Sequence, residues 1–218
     1  MAHWANGQPL LAMTDLDQTL KLDPHDVAAL LAHARFRLSE GDKAGALEDL
    51  DTADHAAAKQ ADVRLELGDL DESADRLTSA IDQYSLWIDF HADDGQMAQA
   101  LNARCWARTL TGADLDLALK DCNRALQLSP KTAQYLDSRG LTHLRRGEFD
   151  KAVTDYDTAL AMKPDLAWSH LGRGLAKLKL GQSAAGQADL AQALKLEPKL
   201  TDEAKGYGIV IPAAANGG

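Results

Sequence analysis

Apolar residues along this chain fall at helical spacing in segments of about a dozen residues, and the segments come in pairs divided by short polar breaks. Leu126, Leu160 and Leu194 each follow an alanine, and each Ala-Leu pair is closed a few residues later by proline, at Pro130, Pro164 and Pro198. These prolines stand thirty-four residues apart, and seven residues before each alanine comes a small residue: Ala118, Ala152 and Gly186. Segments this short are marginal as isolated helices and need tertiary packing. Gly147-Glu148 and Gly181-Gln182 break the paired segments, as glycine just past a helix end does. Proline ends the second of each pair by removing a donor and restricting the residue before it. A strict period of this length predicts a helical solenoid, whose units cannot bury their apolar faces alone and must stack.

Counted within a thirty-four-residue unit, the best-ordered stretch is 133–166, with Gly140 at position 8, Gly147 at 15, Ala152 at 20, Tyr156 at 24, Ala159 at 27 and Pro164 at 32. The unit 167–200 carries Gly174, Gly181, Gly186, Ala193 and Pro198 in the same slots. These residues resemble the tetratricopeptide repeat, in its bacterial type, over nearly the whole chain. The resemblance implies an all-α fold, a right-handed superhelical solenoid of antiparallel helix pairs. It divides the chain into a half unit 9–26, units 27–60, 61–94, 99–132, 133–166 and 167–200, and a capping helix 201–207, forming a single solenoid over 9–208. Residues 1–8 read as disordered or vector-derived, and 209–218 as a flexible tail. In unit 99–132, Trp106 takes the small slot at 8 and Cys122 replaces the aromatic at 24; in unit 27–60, Ala58 stands where proline is expected. Unit 61–94 has two readings. One puts Leu67-Gly68 at positions 7 and 8; the other takes Gly68 to Glu72 as the interhelix turn. The first is preferred because it needs only a four-residue insertion, Gly95 to Ala98, which should add a turn to the helix that follows.

The formal net charge of −10 argues against general nucleic-acid binding, whose phosphate contacts need a basic face. The chain has no apolar run long enough to cross a membrane and no basic-then-apolar leader, so the cytoplasm is the default, or the periplasm if an upstream signal segment was removed. Cys105 and Cys122 fall on facing helix surfaces of one unit; a disulfide is conceivable, but a pair of small buried hydrophobes is the expectation. His143 could approach either thiol. A Cys-His nucleophile also needs an orienting partner and an oxyanion site, neither identifiable. Without CxxC or HExxH and with scattered histidines, neither a metal nor any other cofactor is expected.

An acid recurs at position 23, as Asp15, Asp49, Asp121, Asp155 and Asp189; unit 61–94 departs with Gln83. Arg139 and Arg173 lie on the facing helix of their own units, and Arg139–Asp155 and Arg173–Asp189 are expected as ion pairs. The alternative is that these aspartates are solvated and contribute little.

The resemblance places function on the concave face lined by positions 2, 5, 9 and 12 of the first helices, together with position 6 in unit 99–132. The candidates are Leu31, Arg35, Asp62, Asp69, Glu72, Arg104, Asp137, Leu141, Trp168, Leu171 and Leu175, acidic in unit 61–94 and apolar beyond it. Leucines at helical spacing are more often core than contact, which leaves Trp168 as the favoured contact residue. The Lys/Asn set with which some repeats clamp a C-terminal carboxylate is missing: upstream of Arg104 stand Leu65 and Asp69. The expected role is non-catalytic: a protein-interaction scaffold binding a peptide or helix with an apolar stripe and basic residues. The alternative is an accessory domain of a longer enzyme. Self-association through the N-terminal half unit is a third possibility.

Overall fold

The structure, a computed structural model, describes residues 9–212. The expectations for residues 1–8 and for the end of the tail, 213–218, lie outside it. Among the described residues there are twelve helices and no strand. The chain divides into two compact bodies, Met1–Asp94 and Gly95–Gly218.

The N-terminal body holds α1 (Pro9–Leu22), α2 (Val27–Ser39), α3 (Lys43–Ala56), α4 (Val63–Ser73) and α5 (Leu77–Phe90). Asp26 and Asp42 cap α2 and α3, accepting the N–H of Ala29 and of Gly45 at 3.0 Å each. Its core runs through Leu30, Leu31, Ala34, Leu50, Leu67 and Leu70, with Leu20 of α1 packed against it. Gly68 lies inside α4, buried among its neighbours, so the first reading of unit 61–94 is the correct one. The turn after α4 is made by Asp75 with φ 59°, in the slot where Gly41 has φ 81°. Left-handed backbone is unstrained for glycine, and aspartate is among the few side chains that tolerate it.

The C-terminal body holds α6 (Met97–Thr111), α7 (Leu115–Leu128), α8 (Ala133–Arg145), α9 (Phe149–Met162), α10 (Ala167–Lys179), α11 (Ser183–Leu196) and α12 (Leu200–Gly206). Helix α6 is two residues longer than α8 or α10, by Met97 at its start and Thr111 at its end, rather than longer by a full turn. Helix α6 also sits one residue earlier in its register than the proline spacing implies. Gly112, not Ala113, takes the left-handed turn with φ 73°, and the extra residue is absorbed at Asp114, φ 54°. Position 8 of this unit is therefore Cys105, which is fully buried, and Trp106 moves to position 9 and is half-buried.

That shift explains the cysteines. Elsewhere positions 8 and 24 pair a small residue with a large one across the two helices. A Cβ on Gly140 would come within 2.9 Å of the Tyr156 ring, and one on Gly174 within 3.0 Å of Leu190. In α6 and α7 the two slots are Cys105 and Cys122, and they form a disulfide with Cα atoms 5.5 Å apart. The expectation of two reduced, buried thiols is thus corrected. His143 is engaged elsewhere, its Nδ1 2.7 Å from Glu148, while Thr142 Oγ1 sits 3.5 Å from Cys105 Sγ. The cap α12 buries Leu200 and Ala204, and the chain stays attached beyond it, with Ile209 only 8 % exposed. Residue 209 thus belongs to the packed body and not to a loose tail.

Candidate functional site

Helices α2 and α4 stand side by side in the N-terminal body, as do α6, α8 and α10 in the C-terminal body. The polar contacts between each first helix and its own second helix follow one rule. In units 27–60, 99–132, 133–166 and 167–200 the aspartate at position 23 is buried and held by basic side chains of the first helix, whereas Asp15 is exposed. Arg139 donates Nε and Nη2 to Asp155 at 2.8 and 2.7 Å, and Arg173 does the same to Asp189 at 2.8 and 2.6 Å. Lys177 adds a third bond to Asp189 at 2.9 Å. Asp121 is held by Arg104 at 2.8 Å and by Arg108 at 2.5 Å. Asp49 lies 2.8 Å from His33 Nδ1 and 3.0 Å from Arg37. Both expected Arg–Asp pairs are present, and the aspartates are not solvated. Unit 61–94 reverses the arrangement. Gln83 replaces the acid and accepts from Arg64 at 2.7 Å, while buried Asp71 sits in a cation slot, its carboxyl pushed up to about 6 chiefly by burial.

Several candidates are consumed by this packing. Leu31, Leu141 and Leu171 are 2, 3 and 1 % exposed and belong to the core. Arg104 is committed to Asp121. Asp137 is buried and accepts the Ser169 hydroxyl from the next unit; burial pushes its carboxyl up to about 6. These five cannot be presented to a partner as expected. Arg35 is exposed and pairs with Glu66, and Leu175 is half-buried.

In the N-terminal body the remaining candidates form an acidic edge. Asp62 is almost fully exposed and lies 2.8 Å from His91 Nε2. The imidazole of His91 stacks on Trp87, and its pKa is raised by the bond to the Trp87 carbonyl and by Asp62. Asp69 and Glu72 converge on the buried Tyr84 hydroxyl, at 2.9 and 3.2 Å. One hydroxyl proton cannot serve two carboxylates. Burial and the charge of Asp69 push Glu72 up to about 7, so that near neutrality it shares a proton with this cluster.

In the C-terminal body an aromatic group gathers on the first helices. Trp106 of α6 and Trp168 of α10 meet edge-on with centroids 5.5 Å apart, and Tyr207, just past α12, lies 6.4 Å from Trp168. Arg145 at the end of α8 donates to the carbonyls of Thr109 and Leu110 at 2.8 Å each and of Tyr207 at 3.3 Å. Sequence reasoning missed Trp106, Arg145 and Tyr207. A tryptophan in a slot reserved for small residues was the available signal, and it marked a register shift.

A tetratricopeptide-repeat family model matches residues 1–61, and a TPR-repeat model matches residues 140–181. A search of curated proteins gave no match. Among solved structures, the chain is similar to PilW, a type IV pilus biogenesis factor, at 17 % identity and a TM-score of 0.72, covering 94 % of this chain and 93 % of that one. It is also similar to a tetratricopeptide repeat protein from Parabacteroides merdae, at 16 % identity and a TM-score of 0.70, over 94 % and 85 %. YrrB, a TPR protein with an unusual peptide-binding site, matches at 16 % identity and a TM-score of 0.56, over 88 % and 97 %. At such identities these are likenesses of fold.

Proposed function

From the premise that the chain is a tetratricopeptide-repeat protein, and so an interaction scaffold, we propose that it binds a peptide or helix of a partner on the face of its first helices and performs no chemistry itself. The observation that carries this reading is the half-buried pair Trp106–Trp168, large aromatic surface held on that face and not absorbed into the core. Separately, within the N-terminal body, the acidic edge of Asp62, Asp69 and Glu72 favours contact with basic residues. No described helix is long and apolar enough to cross a membrane. The test is capture of partners from native lysate by the wild-type protein and by a Trp168→Ala/Asp69→Lys variant of equal thermal stability. A partner identified by mass spectrometry with the wild type and lost with the variant supports the reading. Equal retention by both overturns it.

The disulfide favours an oxidising compartment over the cytoplasm, because such bonds persist where thiols are not kept reduced. Thiol alkylation in intact cells, read as a mass shift, should find Cys105 and Cys122 blocked. Full alkylation of both would return the protein to the cytoplasm.

A further inference from the structure

The C-terminal segment that follows α12 lies on the same face as the two tryptophans. Its Tyr207 ring packs beside Trp168, and the Tyr207 carbonyl accepts from Arg145, the guanidinium that also ties down the end of α6. Two residues on, Ile209 is buried, its N–H returned to the Ala204 carbonyl at 2.8 Å. Val210 is then 76 % exposed, and Ile211 is partly buried. An aromatic, a glycine and an aliphatic residue thus occupy the surface that a peptide ligand would need.

Gly206 ends α12, and Gly208, φ 71°, takes the left-handed position that closes the helix, its N–H and that of Ile209 bonded to the carbonyls of Lys205 and Ala204 at 3.0 and 2.8 Å. Release of Tyr207–Ile211 opens these closing bonds, while Leu200 and Ala204 stay buried on the body side.

We propose that Tyr207–Ile211 is a resident occupant of the aromatic site, and that the partner supplies an extended segment of the same chemistry which displaces it. That segment carries an aromatic side chain to lie beside Trp168, a backbone carbonyl for Arg145, and an aliphatic residue two positions later. This rests on the reading of the first-helix face as a peptide site, and it names both the ligand class and the built-in competitor. A resident segment lowers apparent affinity by the fraction of time the site is open.

The probe is a fluorescein-labelled peptide Gly-Tyr-Gly-Ile-Val-Ile-Pro, the sequence of residues 206–212, followed by anisotropy with the full chain. The expected result is that a Tyr207→Ala/Ile209→Ser variant binds it about tenfold or more tightly than wild type does, as expected when the resident segment no longer competes. Adding Trp168→Phe, which keeps an aromatic ring at that position, should cost part of that affinity, and Arg145→Gln should cost more. A peptide with alanine for its tyrosine should not bind. No binding to the Tyr207→Ala/Ile209→Ser variant, or equal affinity for it and for wild type, overturns the proposal. The two readings fail separately: a captured partner lost with Trp168→Ala but bound equally with and without the Tyr207 and Ile209 changes removes the competitor and leaves the peptide site standing.

Discussion

Replacing Arg173 with leucine probes the energetics of a bracketed aspartate, Asp189, since the exposed Asp157 that Arg173 also meets at 2.7 Å contributes little. The Asp189 side chain is only 9 % exposed and is held by two bonds from Arg173 and one from Lys177. Removing one partner of a buried ion pair typically costs about 3–5 kcal/mol, most of it the stranded charge. Lys177 remains to hold Asp189, so Arg173→Leu should cost about 2–3 kcal/mol. Adding Asp189→Leu should recover most of that loss, since the stranded carboxylate is gone and Lys177 reaches water along its flexible stem. The pH dependence gives an independent check. Burial alone would raise the Asp189 pKa, but the bonds from Arg173 and Lys177 more than offset it and leave it below the ordinary 3.8. A depressed carboxyl stabilises the fold above its unfolded pKa and loses that contribution as pH falls through the folded value. The gap between wild type and Arg173→Leu should therefore be full at pH 7 and close below 3.8. Urea titrations by far-ultraviolet circular dichroism at both pH values, with slopes compared, measure it. A gap under about 0.5 kcal/mol at pH 7, the usual range for an exposed site, would refute the reasoning. So would a double variant less stable than the single one.

The raised carboxyls predict the opposite slope. Glu72, pushed to about 7, and Asp71, pushed to about 6, hold protons in the folded state that the unfolded chain has released, so stability contributed by the protonated forms should fall as pH rises from near 4.5 to near 7. Glu72→Gln should flatten that slope and stabilise the protein at pH 8 by about 1–3 kcal/mol, read from melts across pH. Reducing the disulfide, or replacing both Cys105 and Cys122 by serine, should cost about 3 kcal/mol for a loop of this length, seen as a lower urea midpoint. Gly174→Ala should cost about 1–3 kcal/mol, because its Cβ would meet the Gly186 carbonyl oxygen at 2.9 Å and two backbones would have to part. A neutral outcome there would mean that α10 and α11 separate freely.

Much of the fold was legible because the second helices keep a strict period. The prolines, the Ala-Leu pairs and the position-23 acids are all read from that helix, and all fell where expected. The first helix of unit 99–132 was misread by one residue, because an insertion shows its length in sequence but not how it is shared between two turns. Three of its four additional residues, Gly95, Gln96 and Met97, precede position 1 of the unit and the fourth enters the α6–α7 turn, and that single step exchanged the roles of Cys105 and Trp106. It also hid why Arg104 is an ion-pair residue. Leu31, Leu141 and Leu171 stood as candidates with core the favoured reading, and they are core: helical spacing says which residues share a face, and only packing says whether that face is covered. Tyr207 was beyond reach, since its partners lie some forty and sixty residues earlier, at Trp168 and Arg145.

The small-against-large slot between positions 8 and 24 also bears on how the chain finds its partners while folding. Near-identical helices offer each first helix several wrong mates. Ala34 meets Leu50, Gly68 meets Tyr84, Cys105 meets Cys122, Gly140 meets Tyr156 and Gly174 meets Leu190. A swap between neighbours, such as α6 onto α9, would drive a cysteine into a tyrosine ring and leave Cys122 with no mate. Two of these pairs, Gly68–Tyr84 and Gly140–Tyr156, are the same match and cannot tell one unit from the other, so the slot excludes some exchanges and not all. The covalent pair is unlike its neighbours on either side and allows no exchange once closed, which fixes the order of the repeat at that joint.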